Sequence, residues 1–150
     1  MTERRPNGIG RLREHALHAA LCEWCAQPGD AFEVDVEGYC IDVVRGEQLI
    51  EVQTGNFGAL RPKLARLLTE HPVMLVYPVA LVRWIVRLPA EAGGPVARRR
   101  SPRKGRVTDL FDELVRIAPL AAHPHLQLQV VYTHEDELRR DDGQGSSRRK

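Results

Sequence analysis

The sequence predicts an α/β protein in which helices flank a mixed β-sheet. Three observations support this class. Residues 9–26 carry apolar side chains at helical spacing, residues 33–54 alternate between apolar and polar with glycines at two apparent turns, and residues 73–77 form a continuous apolar run. A second helical segment precedes that run, so the predicted order of elements is α-β-β-β-α-β.

The composition bounds the class of protein. A chain of 150 residues suits one domain with enough core to fold without disulfides, and 43% hydrophobic and 28% charged residues are typical of soluble globular proteins. No apolar run approaches the roughly 20 residues of a membrane span, and the N-terminus lacks the apolar segment of a signal peptide. Three cysteines do not indicate a secreted disulfide framework. We therefore expect a cytoplasmic protein without membrane contact.

The first predicted helix, residues 9–26, has an apolar stripe at spacing i, i+3, i+4, i+7. Its members are Leu17, Ala20, Leu21 and Trp24. Glu14, His18 and Cys22 follow one another at intervals of four residues, and Cys25 completes a CxxC. Zinc would need further ligands, so we expect the cysteines to behave as small hydrophobic residues and His18 to be a surface histidine.

Residues 33–54 predict three short strands joined by two tight hairpins. Turns at residues 37–38 and 46–47 contain Gly38 and Gly46, and two-residue loops fix the register of the flanking strands. With side chains alternating every second residue, one face of the sheet should be apolar. The residues predicted for that face are Phe32, Val34, Val36, Ile41, Val43, Ile50 and Val52.

The same register aligns three carboxylates, Glu33, Asp42 and Glu51, in one row on the other face. Like charges directly opposite each other are destabilising, so the row requires either protonated carboxylates or a bound cation. Because Mg²⁺ takes oxygen ligands from one or two carboxylates, a Mg²⁺ (or Mn²⁺) site is the leading hypothesis. The alternatives are solvated acidic residues on a wet face and a one-residue slip in either hairpin.

The next elements are punctuated by prolines. Asn56 is the predicted N-cap of a helix through about residue 70, although Pro62 interrupts it. Residues 73–77 predict a strand that is buried on both faces and ends at Pro78. Residues 82–88 predict a separate strand near a sheet edge.

The C-terminal part begins with a basic loop or arm at residues 91–107. Residues 108–140 predict a helix-strand extension of the same domain, with Thr108 capping a helix over 109–118 and a last strand from Leu126, so that a β-α-β extension follows the core. Residues 141–150 predict a disordered tail. The basic residues of the arm are Arg98, Arg99, Arg100, Arg103, Lys104 and Arg106.

Asp42 on the second strand and Glu51-x-Gln53 on the third, in this order of elements, form a pattern that resembles the PD-(D/E)XK, or restriction-endonuclease-like, nuclease superfamily. The resemblance covers about residues 9–78 and is strongest to an uncharacterised bacterial branch with Glu-x-Gln in place of Glu-x-Lys. It implies a restriction-endonuclease-like core over residues 1–90, with Asp42 and Glu51 as metal ligands.

The resemblance also implies two further roles. Gln53 occupies the position of the catalytic lysine, where an amide offers a weaker dipole than an ammonium. Lys63 is the nearest substitute, with a solvated cation on a helix face as its plain alternative. Glu33 or Glu14 would supply a third metal ligand, and the register favours Glu33.

The predicted function is therefore Mg²⁺-dependent hydrolysis of DNA phosphodiester bonds, with the basic arm holding phosphates. A catalytically inactive nucleic-acid-binding module with the same fold is the main alternative, and Gln53 favours it. A protein-interaction subunit that uses the last strand is a third reading. The sequence leaves a homodimer open, and the plain alternative for the arm is a solvated loop.

Overall fold

The computed structural model describes the backbone of residues 8–140 and the side chains from residue 14 onward. The first half follows the predicted order of one helix, three strands, a helix and a strand. The elements are α1 (Gly8–Cys25), β1 (Ala31–Val36), β2 (Tyr39–Arg45), β3 (Gln48–Val52), α2 (Phe57–Leu67), β4 (Val73–Leu88), β5 (Ala97–Arg100), α3 (Asp109–Val115), α4 (Ala118–Ala121) and β6 (Leu126–Arg140).

The strands form one mixed sheet of six strands, which confirms the predicted α/β class. The hairpins β1–β2 and β2–β3 are antiparallel, whereas β3 lies parallel to β4. The strand β4 also pairs with β6 in parallel along its whole length and with β5 antiparallel near its end. No helix that the structure describes is long and apolar enough to cross a bilayer.

Both hairpins have the predicted register. Val36 pairs with Tyr39 and Arg45 pairs with Gln48, as two-residue loops require. At the first turn Glu37 and Gly38 have φ of 55° and 83°, so both central residues adopt the positive φ of a type I′ turn. The loop lengths therefore determined the pairing even though Glu37 is a poor residue for this turn.

The prediction of a single apolar face was wrong. Ile41 packs in a buried cluster with Leu64 of α2, whereas Val43 packs in a second cluster with Leu21 of α1. Residues two apart in a regular strand share a face, so the alternation of β2 shifts between these positions. Glu33, which the register places opposite Asp42, has a φ of 50°, a conformation that few non-glycine residues adopt. The distortion thus spans both strands.

The buried stripe of α1 is rotated from its predicted position. Leu21 is 4% exposed, but Trp24 is 62% exposed and Ala20 is exposed as well. Leu17, Cys22 and Cys25 instead pack partly against the cluster beneath α1. The cysteines act as small hydrophobic residues of this face, as predicted, although the predicted stripe had Ala20 and Trp24 in their place.

Pro78 does not end the strand, contrary to the prediction, because β4 runs without interruption from Val73 to Leu88. The carbonyl of Val76 accepts a bond from Gln53 on the β3 side, and Pro78 has the same orientation two residues later. By that point β3 has ended, and β5 pairs only from Trp84 onward, so the missing N–H costs no ladder bond. Residues 82–88 are consequently part of β4.

The C-terminal part also differs from the predictions in detail. Residues 97–100, predicted as part of a loop, form the edge strand β5. The helix α3 ends at Val115, a separate short turn α4 follows, and Thr108 makes no side-chain capping bond within the described residues. The last strand begins at Leu126 as predicted but continues to Arg140. The predicted disordered tail, 141–150, lies outside the described residues.

The predicted cap of α2 is replaced by another residue. Asn56 has a φ of 54° and its side chain makes no capping bond among the described contacts. The amide of Phe57 instead donates a 2.8 Å hydrogen bond to Oε2 of Glu113, which comes from α3. Pro62 lies inside the helix, so α2 begins at Phe57, five residues before the proline, and not with the proline in its first turn.

Candidate active site

Asp42 and Glu51 come together where the alternation of β2 shifts. The amide of Val52 donates to Asp42 Oδ2 at 2.9 Å, and the amide of Asp42 donates to Glu51 Oε1 at 3.4 Å. Each carboxylate thus accepts a backbone bond from the neighbouring strand at the point where the regular ladder is interrupted. These bonds hold two acidic side chains beside each other on adjacent strands.

Glu51 is the buried charged residue of this pair, with 3% of the residue exposed. Burial raises the pKa of Glu51, the negative charge of Asp42 raises it further, and the ammonium of Lys63 acts in the opposite direction. Glu51 is therefore a buried carboxylate whose ionised form depends on nearby positive charge.

Lys63 of α2 supplies that charge. Its Nζ lies 2.7 Å from Glu51 Oε2 and donates to the carbonyl of Cys40 at 2.7 Å. The side chain is 16% exposed, so it is mostly buried beside the carboxylates rather than a freely solvated cation. Gln53 lies differently, because its amide donates to the carbonyl of Gly55 at 2.6 Å and stabilises the turn after β3.

His18 is a site residue that the sequence analysis missed. Its Nε2 lies 3.0 Å from Asp42 Oδ2, and Cys22, one helical turn further along α1, places Sγ 3.8 Å from Nδ1 of the same imidazole. His18 faces the sheet because the inward stripe of α1 is rotated. The spacing of Leu17, Leu21 and Cys25, with cysteine counted as apolar, was the signal that could have indicated this orientation.

A cavity of about 310 Å³ opens beside His18, Cys22 and Asp42. Glu33 lines this cavity together with Phe32 of the same strand. The predicted row of three carboxylates is therefore divided: the amide of Asp42 donates a hydrogen bond to Glu51, whereas Glu33 borders the cavity on the α1 side of Asp42. Glu14, the other candidate for a third ligand, does not line this cavity.

A second, larger groove of about 750 Å³ lies between α1, the middle of β4 and the segment 102–106. Asp42, Glu51 and Lys63 are not among its lining residues. Its links to the pair are in the chain: Thr54 comes three residues after Glu51, and Leu17 immediately precedes His18. The charged residues along it are Glu14, Arg83, Arg103, Lys104, Arg106, Asp109 and Glu135.

The predicted basic arm is divided between this groove and the strand β5. Arg103, Lys104 and Arg106 line the groove, where Arg106 lies 3.9 Å from Asp109. Arg98 on β5 pairs with Asp136 at 3.0 Å and lies over the ring of Trp84. Within the part of the chain that the structure describes, Arg99, Arg100, Arg103 and Lys104 have no ion-pair partner.

Comparisons with known proteins identify relatives without an assigned activity. The family model described as "Domain of unknown function (DUF8091)" matches residues 15–150. A protein of Treponema pallidum (strain Nichols), named "Uncharacterized protein", is 38% identical over 143 residues, which cover 95% of this chain. The matched region spans 57% of that relative's length. No solved structure matches the chain.

Proposed function

Because the chain belongs to the DUF8091 family, whose description states no activity, we propose its function from its geometry. The protein is a cytoplasmic, metal-dependent nuclease with a restriction-endonuclease-like fold, and it hydrolyses DNA phosphodiester bonds. The observation that carries this proposal is the hydrogen bond from the amide of Asp42 to the carboxylate of Glu51, with Asp42 Oδ2 bonded to the amide of Val52 and the ammonium of Lys63 2.7 Å from Glu51.

The carboxylates of Asp42 and Glu51 fit Mg²⁺ or Mn²⁺. Both side chains offer the hard oxygen ligands that these ions prefer, and Asp42 Oδ1 accepts no hydrogen bond within the described residues. The mutual repulsion of the carboxylates and the raised pKa of Glu51 are both relieved by a nearby cation. Once bound, the ion would supply Lewis acidity toward water and the phosphate. Glu33, on the border of the adjacent cavity, is a less direct ligand.

In this proposal, Lys63 takes the role that the lysine of Glu-x-Lys has in the PD-(D/E)XK superfamily. Its ammonium favours the ionised form of Glu51, and it can orient water or donate to a phosphate oxygen. Gln53 is proposed to be structural instead, because its amide nitrogen is bonded to the carbonyl of Gly55. Gln53 is therefore not proposed to act in place of the catalytic lysine.

The groove beside α1 is the proposed path of the nucleic acid. Arg103 and Lys104 line it, and neither is paired with an acidic group among the described residues. Their contacts with phosphates would release counterions and hold the backbone near Asp42. Arg98, which is already paired with Asp136, should contribute less than the predicted arm implied.

Cleavage of supercoiled plasmid DNA in Mg²⁺ or Mn²⁺ tests the proposal. We expect wild type to nick the plasmid and Asp42→Asn and Lys63→Met each to lose on the order of 10²-fold or more in rate. Gln53→Ala is the matched control and should retain most of the activity. Equal rates for wild type and Asp42→Asn, together with no Mg²⁺ binding by calorimetry, would reject the proposal.

A second candidate is a catalytically inactive nucleic-acid-binding module with the same fold. The observation that favours it is Gln53 at the position of the lysine. Under this alternative, DNA binding weakens with salt without any metal-dependent nicking. Arg103→Glu with Lys104→Glu should abolish binding at moderate salt in both cases, whereas Arg61→Glu, on an exposed face of α2, should not.

A further inference from the structure

We propose that His18, Cys22 and Asp42 form a binding site for a transition-metal ion of the Zn²⁺ class. This site lies beside the Asp42–Glu51 pair and shares Asp42 with it, but its ligands and its preferred metal are different. The proposal does not depend on nuclease activity, because it rests on the three ligands alone.

The three ligand atoms already converge. His18 and Cys22 lie four residues apart on α1 and therefore project from the same face of the helix, while Asp42 approaches from β2. All three ligand atoms lie within 4.8 Å of one another. The nitrogen Nε2 is 3.0 Å from Asp42 Oδ2 and 4.0 Å from Cys22 Sγ. Ligands of a tetrahedral zinc ion are about 3.3–3.6 Å apart, so small side-chain adjustments suffice.

The chemistry of the ligands selects the metal. A thiolate and an imidazole favour Zn²⁺ and its spectroscopic substitute Co²⁺ over Mg²⁺, which prefers oxygen ligands. Three protein ligands leave a fourth position for solvent, and the cavity of about 310 Å³ bordered by these residues provides room for it. The site is therefore open and exchangeable rather than a closed structural centre.

The surroundings support a cation at this position. Asp42 brings a negative charge to the cluster, and its Oδ2 lies 3.0 Å from Nε2 of His18. A divalent ion would offset that negative charge and replace the thiol proton. The amide of Val52 fixes Asp42 Oδ2 at 2.9 Å, so the carboxylate is held in place before any ion binds.

Another cluster of potential ligands shows the contrast. Glu37, Glu70 and His71 also bring three ligand atoms together. There, however, Arg66 lies 3.0 Å from Glu37 and 3.9 Å from Glu70, so a guanidinium already supplies the positive charge. In contrast, no Lys or Arg among the described residues forms a hydrogen bond with the side chains of His18, Cys22 or Asp42.

Titration of the metal-free full chain with Co²⁺ tests the site directly. A tetrahedral ion bound to Cys22 should give visible d–d bands and a near-ultraviolet sulfur-to-cobalt charge-transfer band that saturate at one equivalent, and Zn²⁺ should displace them. Cys22→Ser should abolish the charge-transfer band. His18→Gln should weaken Co²⁺ binding by at least 10- to 100-fold, because even the loss of a residue that only hydrogen-bonds to a metal ligand costs about that much.

Matched controls separate this site from its neighbours. Cys25→Ser and Cys40→Ser should keep the band, because neither thiol belongs to the cluster. Lys63→Met should also keep it, so a failure of the nuclease proposal would leave this readout intact. The proposal is overturned if wild type gives no band, if Cys22→Ser retains it, or if Cys25→Ser loses it.

A measurement on the unmodified protein covers the case in which Cys22→Ser does not fold. Zn²⁺ should slow the alkylation of Cys22 by iodoacetamide at least tenfold while leaving Cys40 unaffected, as mapped by peptide mass spectrometry. Equal alkylation of Cys22 with and without Zn²⁺ would overturn the assignment.

Discussion

At the scale of single residues, Asp42 connects three parts of the chain. It accepts a bond from the amide of Val52, lies 3.0 Å from His18 on α1, and donates its own amide to Glu51. Asp42→Asn therefore tests two sites at once, whereas Glu51, Lys63, His18 and Cys22 each report on one. Experiments that separate the two proposals should rely on these four residues.

The burial of Glu51 gives a prediction on pH. Since burial and Asp42 raise the pKa of Glu51, its ionised form destabilises the fold at neutral pH. In metal-free buffer, Glu51→Gln should gain unfolding free energy relative to wild type at pH 7. That advantage should shrink as the pH falls from the raised pKa toward the ordinary value of 4.5, and it should vanish below 4.5, where Glu51 is protonated in both the folded and the unfolded protein.

Urea unfolding of both proteins at several pH values measures this difference. Glu47→Gln, in the exposed turn between β2 and β3, is the control and should show no comparable dependence. A stability difference between Glu51→Gln and wild type that stays constant from pH 4.5 to pH 7 would contradict the prediction.

At the scale of elements, α2 depends on a residue from α3. Glu113 accepts the 2.8 Å bond from the first amide of α2 and is partly buried, with 18% of its side chain exposed. Its carboxylate also lies near the positive end of the helix dipole. We expect Glu113→Ala to cost about 0.5–2 kcal/mol of unfolding free energy, the range for loss of an N-cap.

Chemical denaturation checks this value against Asp112→Ala, the adjacent and exposed acidic residue of the same helix. Equal losses for the two variants would show that the charge of α3, rather than the contact with Phe57, is responsible. Asn56→Ala would not report on capping, because its effect includes the strain of a φ of 54°.

The rotation of α1 predicts that two of its large residues contribute very differently to the stability of the fold. Leu21→Ala, at a position 4% exposed, should cost about 2–5 kcal/mol, because it leaves a cavity against the sheet. Trp24→Ala, at a position 62% exposed, should change stability by about 0.5 kcal/mol or less. Thermal or urea unfolding measures both, and a greater loss for Trp24→Ala would indicate the orientation that the sequence alone had suggested.

At the scale of the whole molecule, local sequence rules accounted for the pairing of the strands. The candidate site, in contrast, depends on contacts between residues that are far apart in the chain. The hairpin register follows from the two-residue loops, and the order of elements follows from periodicity, so both could be predicted. The change in side-chain alternation near Asp42 accompanies the positive φ of Glu33. Glutamate rarely adopts positive φ, so the sequence gives no sign of this change. Likewise, the contact of His18 with Asp42 joins residues 24 positions apart.

The same limit explains the errors in the second half of the chain. Pro78 is compatible with a continuous strand only because its missing donor falls between the end of β3 and the beginning of β5. That relation depends on three strands and cannot be read from the local sequence. The basic segment 97–100 becomes a strand because β4 provides an unpaired edge there, and propensity alone favoured a loop.

The length of β4 determines how the molecule should open. This single strand of 16 residues pairs with β3, β5 and β6, so losing it would separate β5, β6 and the group β1–β3 from one another at once. Hydrogen–deuterium exchange should therefore find the slowest amides at Val73–Val76, where both neighbours are present, with protection close to the global free energy of unfolding. The hairpin β1–β2, which joins the rest of the sheet through β3, should exchange earlier as a separate cooperative unit.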